Sequence, residues 1–239
     1  KSSGIKFSEK FFKKLPSIDD ICQSCNTDSD LKAMIGHDNY EILRFFILAN
    51  KAQLITLPDE MHLNIGSKSA QFLITSVSPE SELIFRNKRE SCGVKWLWHG
   101  SRAERWYRIL HTGLKDLGNT IYQLYDGPIY GDGIYMSDSF WYSYNYCIEA
   151  KNIYINSRLP KLIKVISLVE NADVPELVGP VTKNEYTQRD ESACITRLLF
   201  CYDPLINVYG HYRHYNSLDE PPKVPTLNEV LSYQMEKYH

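Results

Sequence analysis

Apolar positions along this chain gather into a few dense runs, separated by polar stretches marked with Gly and Pro. Residues 1–14 are polar and basic, with Phe7, Phe11 and Phe12 among them. Pro16-Ser17 predicts a helix start, with Ser17 as N-cap and Asp20 at the capping-box position. Residues 40–48, from Tyr40 to Leu48, are apolar on most sides and predict a buried helix ending near Asn50. Leu54–Leu57 predicts a short strand stopped by Pro58, and Phe72–Val77 another stopped by Pro79. The charged run Ser81–Glu90 predicts a helix. Val94–Trp98 is a β-type run that delivers His99.

Ser101 is then placed as an N-cap with Glu104 at the box position, and Trp106, Ile109 and Leu110 form an apolar stripe. Gly113 is the expected stop. Residues 114–129 hold Gly118, Asn119, Asp126, Gly127 and Pro128 and predict a long loop, which in compact domains is often a binding loop. Ile134–Met136 predicts a short strand. A helix is expected from Ser139 to about Lys151. Leu162–Val169 and Ala193–Tyr202 predict strands, with a loop at 175–183 between them. Beyond Tyr209 the chain is rich in Tyr and His, then Pro, before an expected helix over Thr226–Tyr238. Helices and strands are grouped instead of alternating, so the expected class is α+β and not a doubly wound sheet.

Composition narrows the picture. At 239 residues, with 43% hydrophobic and 23% charged positions, the chain can bury a substantial core. A net charge of −2 gives no global basic field, so nucleic acid is not implied. No apolar run approaches membrane-spanning length, so no membrane partner is expected. The six Cys are scattered, as expected for a reduced intracellular protein, cytoplasmic or nuclear. Cys22 and Cys25 form one C-x-x-C without a second pair at zinc spacing, and His211-x-x-His214 is equally weak, so no metal is expected. The chain opens on Lys1, not Met, and is expected to be a monomeric domain of a longer chain.

The chemistry concentrates in three stretches: Trp98-His99-Gly100-Ser101-Arg102, then Tyr130-Gly131-Asp132-Gly133-Ile134-Tyr135, then Ser143-Tyr144-Asn145-Tyr146. A His beside Gly sets an imidazole next to backbone that a ligand can approach. Ser143 and Tyr146, three apart, would share one helix face. Gly131-x-Gly133 lacks the third Gly of a dinucleotide fingerprint. The chain also has no Walker A motif and no G-x-S-x-G.

In this order, the three stretches and a Glu upstream of the last strong strand resemble the catalytic domain of the poly(ADP-ribose) polymerase family, closely over His99–Tyr202. The resemblance implies an ADP-ribosyltransferase fold, two packed antiparallel-rich sheets in a split-sheet arrangement with flanking helices. It implies one catalytic domain, with a helical N-terminal portion over about 1–58, a core over about 59–210 and a tail over 211–239. It implies NAD as substrate, transfer of ADP-ribose to protein acceptors (the chain itself among the candidates) and release of nicotinamide. Gly100 would hold the carboxamide through its backbone, with Ser143 supplying a hydroxyl. Tyr146 would stack on the ring and Tyr135 wall its other side. His99 and Ser101 would contact ribose hydroxyls.

The family's signature Glu falls on Glu185 in Asn184-Glu185-Tyr186, with Glu191 as the rival register, so the expected catalytic set is His99, Tyr135 and Glu185. Tyr130, Tyr142 and Tyr144 are expected to be mainly structural, although Tyr142 stands where some members carry a Lys that assists catalysis. Arg102 and Arg105 could meet phosphate or lie on a solvated face. The upstream part resembles a subgroup that lacks the helical regulatory subdomain. Relatives there tend to carry an apolar residue in place of the Glu and to transfer a single ADP-ribose, so Glu185 leaves mono- against poly-transfer open. The competing classes are an NAD- or ADP-ribose-binding module without turnover and an NAD glycohydrolase.

Overall fold

The computed structural model describes residues 15–65, 69–118, 131–152, 159–180, 184–205 and 222–238. These fall into two compact units, one within 1–51 and 152–161, the other within 52–151 and 162–239.

The first unit holds three helices, α1 (Ile18–Ser24), α2 (Asp28–Ile35) and α3 (His37–Ala49). Ser17 caps α1 and Thr27 caps α2, each with an Asp at the third helical position returning the bond to the cap's backbone. The expected burial of 40–48 does not occur. Phe45, Ile47 and Leu48 are 67%, 62% and 72% exposed. The apolar residues of α3 spread over several faces, and two short neighbouring helices can cover only one of them.

The second unit is built on strands β1 (Leu54–Thr56), β2 (Ser69–Ile74), β3 (Val94–Ser101), β4 (Ile134–Ser137), β5 (Ala150–Lys151), β6 (Leu162–Ala172), β7 (Leu177–Val178), β8 (Glu185–Gln188) and β9 (Cys194–Tyr202). Its helices are α4 (Pro79–Cys92), α5 (Trp106–Thr112), α6 (Phe140–Tyr144) and α7 (Leu227–Tyr238). Among the described residues the strands run β1-β2-β9-β6-β3-β4-β8-β7, with β5 added to β6 and every pairing antiparallel. The α+β class is therefore observed. The described strands form one nine-stranded sheet, and its narrowest join has a specific place. β3 pairs with β6 through eight positions but with β4 only at Trp98↔Ser137. One residue pair joins the β1-to-β3 half to the β4-β8-β7 half.

Both faces of the central strands are covered. Successive residues point to opposite faces, so Trp98 enters one core with Phe140, Leu168, Phe200, Tyr202 and Val230 of α7, while Leu97 enters another with Ile134, Met136, Val169 and Tyr186. Trp98 meets the edges of Phe140 and Phe200 at 5.2 and 5.4 Å. Helix α4 starts with Ser78 as N-cap and Pro79, and ends at Gly93. It is held by charge as well as by Phe85. Arg197 on β9 forks onto Glu82 at 2.7 and 2.9 Å and donates to Glu170 on β6 at 2.7 Å.

Several element boundaries differ from expectation, each for a physical reason. Ser101 does not cap a helix, because its backbone is the last member of the β3–β6 ladder, opposite Val165. A short 3₁₀ turn over Ala103–Arg105 precedes α5 instead. The Phe72–Val77 strand lies at Ser69–Ile74, where its pairing with β1 and β9 falls, and Thr75 adds one bond to the Gln53 carbonyl just beyond. The helix from Ser139 stops at Tyr144, where the chain tightens to three-residue bonds before β6 takes Ala150 and Lys151 as strand partners. The expected loop at 175–183 contains β7. Cys25 caps the end of α1. Residues 1–14, 119–130, 181–183 and the 211–214 histidine pair lie outside the described residues.

Candidate active site

The site assembles where the two half-sheets meet. Trp98, Ser137 and Glu185 stand in one row across β3, β4 and β8, because Trp98 pairs with Ser137 and Ser137 with Glu185. Beyond that row the β3–β4 ladder stops, and a side chain makes the next bond. His99 Nδ1 lies 2.9 Å from the Tyr135 carbonyl oxygen. A carbonyl can only accept, so Nδ1 carries the hydrogen, and Nε2 of the neutral ring is left as an acceptor. Burial of the ring holds the His99 pKa below the usual imidazole range, which favours that neutral form. Trp106 meets the ring edge-on at 6.1 Å and fixes its other side.

Gly100 is required by packing. A Cβ there would lie 1.9 Å from the Ser143 carbonyl oxygen and 2.9 Å from Cys147 Sγ. The backbone at the end of α6 therefore rests directly on β3. Ser143 uses that contact to donate its hydroxyl hydrogen to the Trp98 carbonyl at 2.8 Å, so its oxygen keeps lone pairs for a ligand amide. Gly133, in the left-handed region at φ 142°, leads into β4. A Cβ there would meet Thr187 Cγ2 at 2.5 Å and the Gln188 carbonyl at 2.9 Å. Tyr135, two residues on, donates its hydroxyl to the Gly131 carbonyl at 2.8 Å, which pins the ring.

Glu185 is buried, at 6% exposure. It opens β8, upstream of the long strand β9, and accepts the Tyr142 hydroxyl at Oε1. Tyr146 in turn donates to the Tyr142 hydroxyl at 3.4 Å. Burial and the Glu185 carboxylate push the Tyr142 pKa up, so its proton stays on the phenol. Tyr146 is 37% exposed, on the turn after α6, and its ring lies 5.7 Å from that of Tyr142.

Six expected residues are thus brought together: His99, Gly100, Tyr135, Ser143, Tyr146 and Glu185. Ser101 is buried at the end of β3. Glu191 lies on a 3₁₀ turn and is taken up by Lys115 at 2.6 Å and by the Asp116 amide at 2.9 Å. Arg102 lies 3.9 Å from Glu104, both exposed. The contact of Tyr142 with Glu185 was not readable from spacing, since Tyr142 sits one residue before Ser143 and so turns to another side of the helix. The only pointer to it was the Lys found there in some members. Among the described residues, no group of three or more His, Cys, Asp or Glu could hold a metal ion, and no helix is long and apolar enough to cross a membrane.

The sequence matches the family model of the poly(ADP-ribose) polymerase catalytic domain over residues 66–193, more than half of the chain. The chain belongs to this family. The reaction of this family is ADP-ribosyl transfer with NAD as substrate. The residues fit that substrate: an imidazole acceptor for a ribose hydroxyl, a half-exposed aromatic face for the nicotinamide ring and a buried carboxylate. Similar curated proteins are the mouse and human forms of "Protein mono-ADP-ribosyltransferase PARP8". The mouse protein is 33% identical over 119 residues, 50% of this chain and 14% of its own length. The human protein is 35% identical over 107 residues, 45% of this chain and 12% of its own length.

Proposed function

We propose that this chain transfers single ADP-ribose units from NAD to protein side chains, with Glu185 as the catalytic carboxylate. The buried position of Glu185, in one row with Trp98 and Ser137 beside the His99–Tyr135 contact, carries this reading. The single-unit product is supported by the names of the two relatives. On this reading, residues 52–151 and 162–205 supply the catalytic core, and α1–α3 form the separate N-terminal helical portion.

In the reaction the bond between nicotinamide nitrogen and the ribose anomeric carbon breaks, and its electron pair leaves with the nitrogen. The departing ring is cationic in the substrate and neutral afterwards, so no acid is needed. The protein must orient the ring and stabilise positive charge developing on the ribose. Gly100 backbone and the Ser143 oxygen would hold the carboxamide. Tyr146 and Tyr135 would flank the ring, an electron-rich face suiting a cation. His99 Nε2 would accept a ribose hydroxyl, with Ser101 nearby in sequence on the same strand. Glu185 would stabilise the ribose charge and take the proton of the incoming acceptor hydroxyl, thiol or carboxyl.

Incubation with labelled NAD tests this. Discrete labelled bands are expected on a gel. A smear would overturn the single-unit product, and binding without turnover would reduce the chain to a binding module. Release of free ADP-ribose without labelled protein would make it a glycohydrolase.

A further inference from the structure

The Tyr142 hydroxyl occupies one oxygen of the carboxylate on which the proposed reaction depends, and the way α6 is built puts it there. Phe140 and Tyr144, four apart, both face the core and stack at 5.5 Å. With that side of the helix committed to the core and Ser143 tied to β3, Tyr142 reaches β8. Its phenol has one hydrogen, and an ionised carboxylate only accepts. The direction of the chain is therefore fixed: Tyr146 donates to Tyr142, and Tyr142 donates to Glu185 Oε1.

Resting on the reading of Glu185 above, we infer that Tyr142 is a positioning residue for that carboxylate. A rigid ring tied at its base to a packed helix fixes where Oε1 lies and so directs Oε2 toward the reacting ribose. The donor is neutral. It orients the carboxylate without cancelling the negative charge that the developing cation requires. The elevated phenol pKa agrees with this, since a phenolate there would repel Glu185. Tyr146 links the same hydroxyl to the residue assigned to the nicotinamide ring, so ring stacking and carboxylate orientation share one hydrogen-bonded chain.

A double-mutant cycle tests the inference, using single-turnover transfer with labelled NAD and calorimetric binding of 3-aminobenzamide. Tyr142→Phe removes one oxygen and keeps the ring. It should lower kcat about tenfold, as expected for a hydrogen bond to a charged group, with the KM for NAD within about twofold. In a Glu185→Gln background the same change should lower transfer by less than about twofold, because the two residues act as one unit. 3-Aminobenzamide should bind all variants alike.

Multiplicative effects in the double variant, an unchanged kcat in Tyr142→Phe or an effect confined to KM would overturn the inference. So would a Tyr142→Phe chain that no longer folds, since the residue would then be structural. An inactive wild-type chain would instead sink the proposed transferase. An active Glu185→Gln chain would sink the role of Glu185.

Discussion

The Ser143 carbonyl oxygen lies 1.9 Å from where a Cβ on residue 100 would sit. Two backbones touch there without an intervening side chain, and the contact sets the height of α6 above β3. It thereby sets the Ser143 hydroxyl, the Tyr142 hydroxyl and the Tyr146 ring together. Gly100→Ala must push α6 outward, since the obstruction is backbone and cannot rotate aside. It should cost about 3 kcal/mol, at the upper end for an added methyl in a packed interior. Urea unfolding read by tryptophan fluorescence gives the value. A change below about 1 kcal/mol would show that α6 is free to shift.

Glu185→Gln keeps the shape of the side chain and removes its charge. If the carboxylate acts on charge that develops only in the transition state, transfer should fall by a factor on the order of a hundred, about 3 kcal/mol. NAD affinity should change less than about tenfold. Glu191→Gln should leave transfer near wild type and alter only the Lys115 and Asp116 contacts. Single-turnover automodification of each variant decides between the two carboxylates. A dead Glu191→Gln beside an active Glu185→Gln would reverse the assignment.

The helix starts read at Ser17 and Ser139 and the stop read at Gly113 mark real helix ends. They work because caps are local chemistry. Of the strands that carry the site, β3 and β4 were legible for the same reason, as β-type runs, whereas the four-residue β8 was not. The length of α6 was not, since it depends on where β6 captures Ala150. Gly100 was readable as a close-approach position, but the sequence pointed to a ligand and the approaching atom belongs to Ser143. The Tyr142–Glu185 contact spans 43 residues and depends on the register of β4 with β8, which no local pattern encodes. The exposure of α3 was hidden because an apolar run looks the same whether or not a partner covers it.

Arg197 on β9 joins α4 to β6 through Glu82 and Glu170. Glu170 is buried and keeps Arg89 at 3.2 Å as a second partner. Arg197→Met would leave Glu170 with that one partner. Losing one member of a buried pair costs roughly 3–5 kcal/mol, and Arg89 should hold this case near about 3 kcal/mol. Chemical unfolding at pH 7 measures it. The additional change Glu170→Gln should restore part of the loss, because the stranded charge goes with it.

His99 predicts a direction in pH. Its pKa is held below the unfolded value, so below about pH 6.5 the unfolded chain takes up a proton that the folded chain refuses. The unfolded state then binds more protons, and stability falls as pH drops from about 6.5 toward the folded pKa, by at most about 1.4 kcal/mol per pH unit. Above that window the contribution is fully present. Melting temperatures of wild type and His99→Gln between about pH 5 and 7.5 should converge on the acid side. The transfer rate of wild type should hold through that window and fall only near the lower folded pKa, because a protonated ring has no acceptor at Nε2. A wild-type chain no more acid-sensitive than His99→Gln would refute the buried neutral ring.

Tyr146 separates the flat amide subsite from the carboxylate chemistry. Its ring is 37% exposed after α6, and its hydroxyl bonds Tyr142 at 3.4 Å. Stacking of a planar heterocycle on an aromatic side chain contributes about 1–3 kcal/mol. Tyr146→Ala should therefore weaken 3-aminobenzamide at least about tenfold, whereas Tyr146→Phe, which keeps the ring, should bind it as wild type does. Ser143→Ala should weaken the amide through the lost hydroxyl, by a smaller amount of about 1 kcal/mol for one neutral hydrogen bond. Calorimetric titration of the three variants orders them: Tyr146→Ala weakest, Ser143→Ala intermediate, Tyr146→Phe unchanged. Equal affinity in Tyr146→Ala and wild type would mean that the ring binds elsewhere, and the assignment of Gly100 and Ser143 to the carboxamide would fall with it.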